Sequence, residues 1–70
     1  MKNFIVTMLA DNLTTNEYTC ATRNFYCVSF EEAKGLMLNY FQNKYPQYNS
    51  IRACFGYEIY ANEHGVIFRK

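Results

Sequence analysis

The residues best suited to chemistry are few. His64 is the one histidine, and Cys20, Cys27 and Cys54 are the three thiols. By number they make up a zinc ligand set. By spacing they do not, because no Cys-x2-Cys pair exists. A nucleophilic cysteine needs a base or a cation to hold its thiolate, and the sequence places none beside any of the three. His64 lies in Asn62-Glu63-His64-Gly65, which reads as a hairpin loop, so it is taken as a solvated turn residue rather than a general acid or base. Glu31 and Glu32 are adjacent and suit a helix start, not paired acid–base work. No glycine-rich loop is present to cradle a phosphate. The expectation is a protein that is not an enzyme and uses no cofactor and no metal.

The chain is better equipped for recognition. Seven Tyr and six Phe, with no Trp, stand among 70 residues. Tyrosine offers a large rigid contact face at low entropic cost, and arginine joins it at the centres of interfaces. Arg52, Tyr60, Arg23 and Tyr26 are the candidate partner-binding residues. The same residue types, with Arg69, Lys70 and Tyr18, also suit a single-stranded nucleic-acid binder, in which bases stack on tyrosine and arginines track the backbone. That is the alternative reading. A formal net charge of +1 supplies no global field for a polyanion, and no RNP-like motif is present. A host protein or protein complex is therefore the favoured partner. Self-association as a homodimer is the other outcome expected of an uncovered sheet.

Length and composition bound the rest. Seventy residues make one domain, 1–70, and a chain this short buries a modest share of its surface. Half of the residues are apolar and 19% are charged, which is globular composition. Three cysteines without paired spacing read as free thiols in a reducing compartment, which points to the cytoplasm. The opening MKNFIVTMLAD has a short apolar run followed at once by Asp11, and it reads as a first strand rather than a leader. Nothing approaches the ~20 apolar residues that cross a bilayer, so no membrane role is expected.

The elements that would position these residues follow from periodicity. Asn3 to Leu9 is β-prone and apolar on both sides, as in the middle of a sheet. Asp11 to Asn16 is loop chemistry. Glu17 to Val28 is β-prone but long. It reads either as two short strands or, preferably, as one strand bent by a bulge near Arg23-Asn24. Ser29 followed by Glu32 is a capping box, and Phe30, Ala33, Met37, Tyr40 and Phe41 fall on one helical face. Pro46 ends the helix near Tyr45. Ser50 to Tyr60 alternates, with Ile51, Ala53, Phe55, Tyr57 and Ile59 as the core face. Arg52, Cys54, Gly56, Glu58 and Tyr60 form the outer face. Val66 to Arg69 is a short last strand.

The expected fold is α+β, a single β-β-α-β-β domain with a four-stranded antiparallel sheet in the order 2-1-3-4 and one helix on one face. The other face would be open to a partner.

The run FYCVSFEEAKGLMLNYFQNKYPQY, a strand, a Ser-x-x-Glu cap and an amphipathic helix between hairpins, resembles small phage-encoded inhibitor proteins of the anti-CRISPR and anti-defence type. Frequent Asn, Tyr and Phe with little Gly or Pro add to the likeness. It covers the chain in size, composition and element order and carries over no functional residue. It implies a small inhibitor that blocks a host defence or nucleic-acid-processing complex by surface contact.

Overall fold

The computed structural model describes residues 1–60 in full and residues 61, 62 and 65–69 in backbone. Strand β1 runs Lys2–Asn12, β2 Glu17–Cys27, helix α1 Phe30–Lys44, β3 Ser50–Asn62 and β4 Gly65–Arg69. The hydrogen-bonded order is β2-β1-β3-β4, antiparallel throughout.

The expected four-stranded layer is corrected to three strands, β2-β1-β3, in the order β-β-α-β. The helix packs on β1, β2 and β3. Strand β4 pairs with Glu58–Asn62 at the far end of β3, and of those residues only Glu58 and Ile59 also lie opposite β1. The last five-residue strand is thus a hairpin arm on the sheet rather than a fourth member of the layer under the helix. Its connecting residues Glu63 and His64 lie outside the described residues.

The long second segment is one strand. It pairs with β1 from Lys2 opposite Cys27 to Asn12 opposite Glu17 without a register shift, so the bulge expected near Arg23-Asn24 is absent from this pairing. The irregularity sits instead between β1 and β3. Leu9 stands opposite Ala53 and Ala10 opposite Ile51, which leaves Arg52 as the extra residue.

Local chemistry accounts for the turns and the helix. In the β1–β2 loop, the Asn12 side-chain carbonyl accepts from the backbone N–H groups of Thr14 and Thr15 at 3.0 and 3.3 Å. Asn16 takes the left-handed backbone region at φ 63°, which asparagine tolerates, and its N–H reaches Asn12 O at 2.9 Å. Ser29 caps α1, its hydroxyl accepting from Glu32 N at 3.2 Å, and Glu31 and Glu32 lie in the positive first turn. The Tyr45 N–H bonds Phe41 O and closes the helix just before Pro46.

The core lies between α1 and the helix-facing side of β1. Phe4, Val6, Met8 and Ala10 alternate into it from β1, Cys27 from the end of β2, and Ala33, Met37 and Phe41 from the helix. Phe25, Ala21, Phe30, Tyr40, Tyr45, Tyr48 and Cys54 pack around its rim. The apolar second side of β1, with Ile5 and Leu9, faces away from the helix.

Candidate protein-binding face

The face of the sheet away from the helix is set by pairing. Ile5, Thr7 and Leu9 alternate with the buried residues of β1. Directly beside them on β2 stand Asn24, Thr22 and Cys20, and on β3 stand Tyr57, Phe55 and Ala53. Asn3 extends the row to Tyr26 and Ile59 at one end. The Thr7 and Thr22 hydroxyls, 2.9 Å apart, join the two strands across this face.

This reverses the expected orientation of β3. The sequence places Ile51, Ala53, Phe55, Tyr57 and Ile59 under the helix. In the structure Ala53, Phe55, Tyr57 and Ile59 turn to the uncovered face, while Cys54, Gly56 and Glu58 take the helix side opposite Met8, Val6 and Phe4. Two physical causes are visible. The Arg52 bulge changes the parity of the strand, so Ile51 stays on the helix side, beside Tyr45 and Tyr48, and parts from the rest of its set. The second is the close approach of backbones at Gly56, where a Cβ would run into the Ile5 carbonyl.

The result is an apolar stripe along β1 and β3 with no helix over it. Phe55, next to Thr7 of the middle strand, is 54% exposed, and Tyr26 at one end is 63% exposed. Aromatic rings in the middle of a sheet face normally have a covering layer.

The four expected contact residues do not come together. Tyr26 lies on the uncovered face at the end where Asn3 pairs. Arg52 lies at the opposite end, where its Nε is 3.2 Å from Asp11 Oδ2, in a shallow hollow shared with Asn12, Asn16 and Tyr18. Arg23 stands opposite Val6 and so belongs to the helix side. Its guanidinium carbon sits 4.2 Å from the centre of the Tyr40 ring, a cation–π distance. Tyr60 follows Ile59 on β3, beyond the end of β1. Sequence reasoning missed Phe55 and Ile59 as part of the outer surface, because apolar alternation alone assigns such residues to the core.

A second cluster sits at the β2 edge of the helix side. The Lys44 ammonium lies 5.7 Å from the Tyr40 ring and 5.8 Å from the Tyr45 ring. Arg23 first, and Lys44 next, favour the Tyr40 phenolate and lower its pKa, while Tyr40 in turn raises that of Lys44. The Cys54 thiol is pushed up by burial, with the charge of Lys34 partly opposing. Such a shift favours the neutral thiol rather than the reactive thiolate.

Among the described residues, no three His, Cys, Asp or Glu side chains gather as a metal site, and no helix is long and apolar enough to cross a membrane. The chain matches no family model, no curated protein and no solved structure.

Proposed function

We propose that this chain is a non-enzymatic protein-binding module whose contact surface is the uncovered sheet face, centred on Phe55 with Leu9, Ile5 and Ile59. The observation that carries this reading is the orientation of β3: its larger apolar side faces away from the helix, and its smaller side, Cys54 and Gly56, faces toward it. Turning apolar area to water costs about 25 cal/mol per Å2, so a partner that covers this face recovers what the monomer forgoes. Polar Thr22 and Asn24 border the stripe on β2, as a polar rim borders the apolar centre of an interface. Inhibition of a host defence or nucleic-acid-processing complex is the finer form of this proposal, and it rests on the likeness in size, composition and element order.

The test is affinity capture from a bacterial lysate with the wild-type chain, followed by titration of the captured partner against Phe55→Asp. Loss of on the order of 2 kcal/mol in binding, with the fold retained, is expected for a residue at the centre of an interface. Unchanged affinity removes the reading. Binding that weakens steeply with salt and is competed by single-stranded DNA would assign the chain to nucleic acid instead.

A further inference from the structure

The uncovered face is not the only unpartnered feature. Strand β2 forms one edge of the sheet, and among the described residues its outer side meets no other strand. It has 11 residues, contains neither Pro nor Gly, and keeps a single register with β1 from end to end. Alternate residues of such a strand direct their N–H and C=O groups away from their partner, as a template for another strand. Proteins usually blunt an edge of this kind with proline, a bulge, a covering segment or a charge; among the described residues β2 has only the charges, Glu17 at its start and Arg23 near its middle.

Charge decides what can pair there. Arg23 lies at the middle of β2 and Lys44 shares the Tyr40 ring with it. The two ion pairs among the described residues are Lys2–Glu58 and Arg52–Asp11, so neither Arg23 nor Lys44 has a carboxylate partner there. A second copy of β2, antiparallel and fully overlapping, would centre on Thr22, with each Arg23 opposite Ala21 of the copy and diagonal to the other Arg23. It would gather two Arg23 and two Lys44 around one axis, and like charges so placed repel. The edge therefore selects against its own copy and for a strand of opposite sign.

We infer that the β2 edge is a docking site for an extended segment of a partner protein that adds as a further antiparallel strand and sets an Asp or Glu against Arg23, Lys44 and the Tyr40 hydroxyl. Main-chain hydrogen bonds to β2 provide the attachment, and the acidic side chain provides register and selectivity. On the opposite face of the same strand, Tyr18 and Tyr26 are exposed and flank the small residues Cys20, Thr22 and Asn24. They offer two aromatic platforms at the ends of the added strand.

The experiment uses the whole chain as bait for a displayed library of random dodecapeptides. The expected result is enrichment of sequences with β-branched residues alternating around one Asp or Glu. Binding of a selected peptide should drop at least tenfold on Arg23→Glu and return when the acid of the peptide becomes Lys. Arg23 is exposed, so its replacement leaves the core intact, and a circular-dichroism spectrum checks that directly. No enriched peptide, peptides without an acid, or affinity indifferent to Arg23→Glu would overturn the inference. So would peptides lost on Phe55→Asp but not on Arg23→Glu, which would support the uncovered face alone. A wild-type protein that pairs with itself through β2, seen as concentration-dependent mass in light scattering that a selected peptide competes away, would also overturn it.

Discussion

Gly56 stands directly opposite Val6, and a Cβ at position 56 would collide with the carbonyl of the neighbouring Ile5. The contact is backbone against side chain, so no rotamer change relieves it. Gly56→Ala should therefore destabilise the fold by roughly 1–3 kcal/mol, the range of overpacking. Gly35 is the contrast, because nothing lies within 4 Å of a Cβ built there. Gly35→Ala on the exposed side of α1 should stabilise by about 0.5–1 kcal/mol. Urea denaturation of both variants reads the two signs, and a destabilising Gly35→Ala would contradict the helix packing described.

The cap at Ser29 carries a prediction of its own. Its hydroxyl satisfies the Glu32 N–H at the head of α1, and Ser29→Ala leaves that donor to water. A loss of about 1 kcal/mol is expected, read as a lower urea midpoint with an unchanged slope. No loss would mean that the helix starts elsewhere.

Tyr40 should titrate ahead of an ordinary tyrosine, because Arg23 and Lys44 favour its phenolate. A lowered folded pKa means that folding gains stability as pH rises from the folded value toward the unfolded one near ~10. Absorbance at the phenolate band should show one early-titrating tyrosine. That early component should move toward the ordinary tyrosine value in Arg23→Gln, where Lys44 alone still favours the phenolate, and vanish in Tyr40→Phe; an unmoved component in Arg23→Gln would remove Arg23 as its cause.

Cys54 works in the opposite direction. Its folded pKa is raised by burial, so above the unfolded thiol value, roughly 8.5, the unfolded chain loses a proton that the folded chain keeps. Stability present below that pH is lost as pH climbs through it. Cys54→Ala should flatten this alkaline decline, which paired urea titrations would reveal. An identical decline in the variant would place its source elsewhere.

Much of the fold was legible in local signals. The Ser29 cap, the Glu32 spacing, the 3.6-residue apolar face and Pro46 each act within a few residues, and α1 appears where they place it. The two-sided apolar character of Asn3–Leu9 likewise identified the central strand. Strand β3 was misread because its alternation reports only which residues share a side, not which side the helix occupies. That choice depends on pairing with β1, on the backbone approach at Gly56 and on the Arg52 bulge, none of which leaves a periodic trace. Val66–Arg69 has the composition of a strand, yet its short pairing with the end of β3 keeps it out of the layer beneath α1. The expected contact set of Arg52, Tyr60, Arg23 and Tyr26 was drawn from residue type. The structure separates its members: strand parity sends Arg23 to the helix side, and Tyr26 and Arg52 stand at opposite ends of the sheet.

The face that carries Phe55 is the proposed contact surface. The most direct measurement is the affinity of the captured partner for three chains: wild type, Phe55→Asp, and Gln42→Glu on the exposed side of α1, each first shown to be folded. Because Phe55 is about half exposed, Phe55→Asp gives up the covered half of the ring and a strand-favouring residue and should cost roughly 1–2 kcal/mol of stability, so the comparison is made where each chain is folded. The predicted result is a loss of roughly 30-fold or more in affinity for Phe55→Asp, the equivalent of about 2 kcal/mol, with Gln42→Glu equal to wild type. Equal affinity for all three, or a loss confined to Gln42→Glu, would contradict it.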